Sequence, residues 1–367
     1  MRDLLSAEVT LTDKRDIAGV VGHYKNKGLF THAFVARGRL ADTKPFFIYK
    51  DYADSDDIFD LASLTKALVV TPLLFRWRSR TGLSFDQTVG EWLGSVSLAL
   101  DPRIKELSVR RLLAHTSGLP AWRNFWMCWL DRAPPGLKKN KEELLIHEID
   151  VLRRAAADIS GTSNQVYSDI GFIVLGLLME AVSGQSLDKQ FDDFCVRDLQ
   201  LGSGNSVLGF PGSRPDMQAF VSTGICLIRG RQLRGEVHDE NCAALGGVTG
   251  HAGLFGTGES VCAFFSALAQ SSVGRRLLAE NAAARQLPLQ IPANEGLLGW
   301  RQAATVNSLP FGNGAAMGHL GFTGCAFWVW PEAGEYVTLL TNRVISGRTS
   351  PEISAMRREV FTVLAAL

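Results

Sequence analysis

The sequence predicts an α+β fold: an antiparallel sheet flanked by helices, built from both termini, with a helical region inserted between. Three textures predict it. Near the amino end, "IAGVVGHYKNKGLFTHAFVARGRL" and "KPFFIYKDYA" carry β-branched and aromatic runs broken by glycine, as antiparallel strands do. Near the carboxyl end, "GCAFWVWPEAGEYVTLLTNRV" places two apolar runs on either side of a "PEAGE" turn, which reads as a hairpin. The middle is helix-rich. There "IGFIVLGLLMEAVSG", from Ile170, contains Glu180 and is too short to span a bilayer comfortably, so it reads as a core helix ending near Gly184. "SPEISAMRREVFTVLAAL" closes the chain as an amphipathic helix with Pro351 just inside its start. Neither terminal strand set can cover a core alone, so both are expected in one sheet. The boundaries read as 1–75 with 290–367 for the sheet domain and 76–289 for the mainly helical one.

The chain has 367 residues, 46% of them apolar, which is enough to bury a large core. Lys+Arg 38 against Asp+Glu 37 leaves a net charge of +1, and no dense basic block is present. Neither nucleic acid nor an anionic membrane is therefore an expected partner. "LKKNKEELL", from Leu137, reads as a solvated loop entering a helix. The start, "MRDLLSAEVTLTDKRD", lacks the basic segment and long apolar core of a secretory signal, and no membrane anchor is expected. Cys128, Cys195, Cys226, Cys242, Cys262 and Cys325 are scattered without a Cys-x-x-Cys pair. They read as reduced, buried thiols of a cytoplasmic protein.

Chemistry concentrates in "FDLASLTKALVV", which places Ser63 and Lys66 one helical turn apart at the start of a largely buried helix. Ammonium groups are costly to remove from water, so a lysine hemmed in by Ala67, Leu68, Val69 and Val70 implies partners that want its charge. Ser186 and Lys189 repeat the spacing in "SGQSLDKQF", where the surroundings read as a helix cap and a solvated first turn. Three more stretches follow in order: "SVRRLLAHTSGLP" from Ser108, "VYSDIGFIVLG" from Val166, and "MGHLGFTGCAFWVWPEAGEYVTLLTNRV" from Met317.

With these four ordered motifs the chain resembles the serine β-lactamase, penicillin-binding protein and esterase superfamily, nearest to its class C-like and esterase branches, from about Phe59 to Val344. "GLSFDQTVGEWLG" and "VHDENCAALGGVTGHAGLFGT" resemble further family segments. The resemblance implies a β-lactamase/transpeptidase-like fold, an antiparallel sheet flanked by helices plus an all-helical region, with the site between them. It implies Ser63 as nucleophile, with Lys66 and Tyr167 as proton carriers. A serine hydroxyl needs a base, and a tyrosine serves as one only where cations stabilise its phenolate. Asp169 stands where the family usually has Asn. An ionised carboxylate has no donor for an amide carbonyl and would pull Lys66 toward its charged form. Asp169 also reads as a cap for the helix that follows.

His319, Leu320 and Gly321 occupy the family's Lys-Thr-Gly place. His319 would stand in as a donor, Leu320 discards the threonine hydroxyl, and Gly321 lets substrate approach the strand. The backbone N–H of Phe322, with that of Ser63, would form the oxyanion hole. Arg343, at the end of its strand, would bind a substrate carboxylate. His115 and His251 read as scaffold hydrogen-bonders, and no metal or other cofactor is expected.

The expectation is a serine hydrolase that cleaves an ester or activated amide through a Ser63 acyl-enzyme, esterase-like with at most weak β-lactamase activity. Its partner would be a small-molecule acyl substrate: an ester, a β-lactam or a peptidoglycan peptide. A D-alanyl-D-alanine carboxypeptidase or related peptidoglycan peptide hydrolase is the alternative. A non-catalytic cell-wall-fragment binding protein is the rival of another class.

Overall fold

The computed structural model describes residues 16–51, 57–98, 100–124, 126, 165–202, 208–211, 219–284, 298–302 and 316–367. The charge run at 137–145 and Cys128 lie outside the described residues. Helix α1 (Ile17–Asn26) comes first, where the β-branched texture had suggested a strand. Its apolar residues Ile17, Val20, Val21 and Tyr24 recur at helical rather than alternating spacing, and the Asp16 carboxylate caps it by accepting the Gly19 amide at 2.7 Å.

Strands β1 (Ala33–Arg39) and β2 (Phe47–Lys50) follow, and then β3 (Phe59–Asp60), which leads into Ser63. A π-helical turn over Lys66–Val70 runs into α2 (Thr71–Thr81). The widened turn suits Pro72, which has no N–H to give and crowds the preceding carbonyls. Side chains add bonds to the carbonyls of this turn: Thr71 Oγ1 donates at 2.9 Å to the Lys66 oxygen, which also accepts the Thr71 amide, and the Trp300 indole donates to that of Ala67 at 3.2 Å.

Short helices α3 (Val89–Leu93), α4 (Pro102–Lys105) and α5 (Val109–Leu113) come next, the first opened by a capping box between Thr88 and Glu91. The long apolar helix is α6 (Asp169–Ser183), which ends at a left-handed Gly184 as the sequence predicts. Ser186 stands at the N-cap of α7 (Leu187–Arg197), although its hydroxyl makes no capping bond. Hairpin β4 (Gly224–Cys226) and β5 (Arg231–Leu233), helix α8 (Glu240–Ala244) and strand β6 (Phe255–Gly256) lead to α9 (Gly258–Gln270) and α10 (Ser272–Ala284). The chain ends with β7 (Arg301–Gln302), β8 (Met317–Leu320), β9 (Ala326–Trp330), β10 (Glu335–Thr341) and α11 (Glu352–Ala366). Pro351 is the N-cap residue of α11 rather than part of its first turn.

Six strands form one antiparallel sheet in the order β2-β1-β10-β9-β8-β7, so the first and last parts of the chain meet at the β1–β10 pairing. On one face Val35, Trp328, Val337 and Leu339 pack against Val20, Val21 and Tyr24 of α1 and Met356, Val360 and Phe361 of α11. On the other, Phe34, Phe327 and Tyr336 meet Phe265 of α9 and the helical body. Burying each such side chain contributes roughly 1.5–3 kcal/mol. Close approach of α9 requires Gly258, since a Cβ there would fall 2.2 Å from the Phe34 ring. Among the described residues no single helix is long and apolar enough to cross a membrane. The five described cysteines are buried and free.

Candidate active site

Ser63 lies in the turn between β3 and the π-helical segment, and the Lys66 amine donates to its Oγ at 2.9 Å. That amine is fully buried. It also donates to the His251 carbonyl at 3.1 Å, lies 2.8 Å from Asp169 Oδ1, and interacts with the Tyr167 hydroxyl. Burial alone would lower its pKa. The Asp169 carboxylate and Tyr167 more than offset that, so the amine sits above its ordinary value and stays charged. A depressed lysine acting as the base on Ser63 is thus not what this environment produces.

Tyr167 is held by the segment around His115, a residue at φ +58°. The Val166 amide donates to the His115 carbonyl, and the Ser168 amide to His115 Nδ1, both at 3.0 Å. The Ser168 hydroxyl donates to the Pro120 carbonyl and caps α6 by accepting the Gly171 amide. Ser168 therefore does the capping, and the Asp169 side chain is left for Lys66. Burial, helped by Lys66 and Arg301, pushes the His115 imidazole down to about 3, so it is a neutral acceptor whose ring lies tilted with its centroid 4.6 Å from that of Tyr167. Two cations flank that ring: the Lys66 amine 5.0 Å and the Arg301 guanidinium 5.5 Å from its centroid. Negative charge developing on the tyrosine oxygen would be stabilised in place.

His319 is almost fully buried, with its ring 6.0 Å from that of Tyr167. Its Nδ1 faces the Leu320 carbonyl at 2.9 Å, which requires the proton on that nitrogen, and among the described residues Nε2 has no hydrogen-bond partner. Burial and the nearby cations hold the ring well below its ordinary value. His319 thus presents Nε2 as a neutral acceptor, whereas the sequence reading cast it as a donor.

Gly321 lies against the nucleophile turn: a Cβ on it would come 2.8 Å from the Leu61 carbonyl and 3.6 Å from the Ala62 methyl. The backbone of Phe322 is thereby brought beside Ser63, and among the described residues neither the Ser63 nor the Phe322 amide makes a hydrogen bond. Ser63 and Phe322 line the same cavity, and two unbonded N–H groups there suit an oxyanion. The half-exposed Phe322 ring packs over the Arg343 and Arg348 guanidinium groups, 4.5 and 5.4 Å from its centroid.

Arg343 belongs to a 3₁₀ turn (Arg343–Ser346) and not to the strand end the sequence suggested. Asn342 breaks the ladder: its side-chain oxygen accepts the Thr31 and His32 amides, and its nitrogen donates to the Ser222 carbonyl. The guanidinium of Arg343 donates to the carbonyls of Phe322, Gly347 and Arg348.

Ser63, Tyr167, Asp169, Leu320, Gly321, Phe322 and Arg343 share one cavity of about 480 Å³. Its walls also carry His238, Asp239, Arg301, Arg348 and Arg357, none of which the sequence reading singled out as site residues. Only the resemblance of "VHDENCAALGGVTGHAGLFGT" to a family segment pointed toward His238 and Asp239. Asp239 is held well below the usual carboxylate range, against the effect of burial, by His251 Nε2 at 3.0 Å and by the Cys242 amide. His251 serves the site as scaffold, since its ring binds Asp239 and Thr249 while its carbonyl receives Lys66. Among the described residues no cluster of three His, Cys, Asp or Glu is placed to hold a metal ion.

The family model "Beta-lactamase" matches residues 32–359. A relative from Escherichia coli (strain K12), "Putative D-alanyl-D-alanine carboxypeptidase", is 27% identical over 322 residues, 82% of this chain and 72% of that protein. Two solved structures share the fold. The octameric penicillin-binding protein homologue from Pyrococcus abyssi has a TM-score of 0.67 at 17% identity, covering 95% of this chain and 76% of that one. The second is EstCE1, "a hydrolase with promiscuous acyltransferase activity", with a TM-score of 0.63 at 20% identity over 94% of this chain and 97% of the other. On the strength of the family match across most of its length, this chain belongs to the Beta-lactamase family of serine hydrolases.

Proposed function

We propose that the chain is an esterase-like acyl hydrolase acting on a small-molecule ester or activated amide through a Ser63 acyl-enzyme, with at most weak β-lactamase activity. The observation that carries this reading is the Lys66 amine, bonded to Ser63 Oγ at 2.9 Å while held charged beside Asp169. A lysine kept as an ammonium leaves the Tyr167 oxygen to take the serine proton. The Ser63 oxygen bonds to the acyl carbon, and the Ser63 and Phe322 amides receive the oxyanion. The bond to the leaving alcohol breaks as Tyr167 returns the proton to it. Water then attacks the acyl-enzyme, gives one proton to Tyr167, and the Ser63–acyl bond breaks as Tyr167 reprotonates the serine. The free acid leaves, and no outside reactant besides water is required.

Ester preference rests on two wall residues. Asp169 offers an amide carbonyl no donor, and Leu320 brings no hydroxyl. A D-alanyl-peptide hydrolase is the second reading. It is favoured by the arginines along the wall, Arg301, Arg343 and Arg348, which suit a terminal carboxylate, and by the name of the E. coli relative. Comparing kcat/KM for p-nitrophenyl butyrate, nitrocefin and a D-alanyl-D-alanine peptide tests the choice. The ester should lead by at least about tenfold, and a faster peptide reverses the order of the two readings.

A further inference from the structure

Asp60 is 2% exposed and lies three residues before the nucleophile, yet no step of the proposed reaction uses it. Its contacts reach three segments of the site. One carboxylate oxygen accepts the Ala62 amide at 2.8 Å, and the other accepts the His238 amide at 2.7 Å. Its backbone carbonyl accepts the Thr323 hydroxyl at 2.7 Å and faces the Cys325 thiol at 3.6 Å. The first bond holds Ala62 at φ +47°, a left-handed conformation that costs a non-glycine residue on the order of 1 kcal/mol and sets the amide of Ser63. The second fixes the His238–Asp239 wall. The third fixes the turn that carries Gly321 and Phe322, already closed by the Gly321 amide donating to the Cys325 carbonyl at 2.7 Å.

We propose that Asp60 is a positioning residue for acyl transfer, its ionised carboxylate and its carbonyl together setting the nucleophile turn, the oxyanion turn and the facing wall. The proposal rests on reading Ser63 as the nucleophile. Both carboxylate oxygens are engaged as acceptors, so the two amide bonds are strongest in the ionised form. A protonated carboxyl leaves one of those N–H groups a weaker, uncharged acceptor, so that bond loses its charge assistance.

Burial raises the Asp60 carboxyl to about 6, with the Asp239 charge adding to the rise, while the two amides and the Arg229 guanidinium oppose it. Among the described residues the other polar groups on it are the Thr323 hydroxyl and the Cys325 thiol, both on its carbonyl. The site should therefore lose its geometry as pH falls through about 6. Because the loss is one of alignment, it should fall on kcat and leave KM nearly unchanged.

The test measures p-nitrophenyl butyrate hydrolysis from pH 4.5 to 9 for the wild type, Asp60→Asn and Thr323→Val, with hydrogen exchange on each. In the wild type, kcat should drop about tenfold between pH 7 and 5 with its half-point near 6, and KM should stay within twofold. Asp60→Asn should be roughly 10- to 100-fold lower in kcat at pH 7, lose the half-point near 6, and exchange faster at residues 61–64. Thr323→Val, which deletes only the hydroxyl bond to the carbonyl, should lower kcat about fivefold while keeping the half-point. A folded Asp60→Asn with wild-type kcat and an unchanged acid limb overturns the proposal. If that variant fails to fold, a Thr323→Val protein with wild-type kcat overturns it. A wild type without turnover on any acyl donor overturns the enzyme reading as well, and faster exchange at 61–64 in Asp60→Asn would then mark the carboxylate as structural only.

Discussion

The Asp169 carboxylate lies 2.8 Å from the fully buried Lys66 amine, so Asp169 supplies the counter-charge of that lysine. In the proposed reaction this pairing leaves proton transfer to Tyr167. It also gives the cavity wall an acceptor where an amide substrate would need a donor.

Replacing Asp169 by Asn removes that counter-charge, and burial then dominates the Lys66 amine. In the wild type the amine is raised above its ordinary 10.5, so its contribution to stability is full below that value and is lost as pH rises through the higher folded value. Thermal midpoints from pH 8 to 11.5 should fall more steeply for the wild type than for Asp169→Asn. Nitrocefin turnover should rise about tenfold relative to ester turnover in the variant, and an unchanged ratio would remove Asp169 from specificity.

Buried histidines set the acid behaviour. Burial holds His115 at about 3, His238 at about 4, and His319 well below its ordinary 6.5. The unfolded chain binds protons at these residues below about 6.5 while the folded chain does not, so stability falls as pH drops from 6.5 toward 4. Asp60, raised to about 6, works in the opposite direction but is one group against three. The thermal midpoint should decline over this range, and His115→Gln should flatten the decline. A midpoint independent of pH between 7 and 4.5 would contradict the neutral-histidine picture.

Tyr167→Phe deletes one hydroxyl beside Lys66 and leaves the ring between His115 and Arg301. Hydrolysis should fall about 100- to 10,000-fold, the usual span for a lost general base. The melting temperature should move by only a few degrees. Near-normal turnover would transfer the base role elsewhere in the site.

Much of this site was legible in the sequence because its parts are local. Ser63 and Lys66 are three residues apart, Tyr167 lies just before the helix that begins at Asp169, and Gly321, just past its strand, carries its own glycine signal. The hairpin around Pro331–Gly334 was equally plain, since a proline-to-glycine turn separates two apolar runs. The amino-terminal helix was misread because Val20, Val21 and Tyr24 have strand-like side chains at helical spacing. Asp60, Asp239 and Arg301 were missed for another reason: Asp60 reaches His238 across 178 residues, and no local pattern marks such a contact. The polarity of His319 was likewise invisible, since it depends on which ring nitrogen meets the Leu320 carbonyl.

The most direct measurement is intact-protein mass spectrometry after exposure to a fluorophosphonate or an activated ester. A single adduct that maps to Ser63, absent in Ser63→Ala and slowed in Lys66→Met, is the predicted result. A wild-type protein that stays unmodified across several acyl donors, or one modified equally in Ser63→Ala, would contradict the proposed acyl-enzyme.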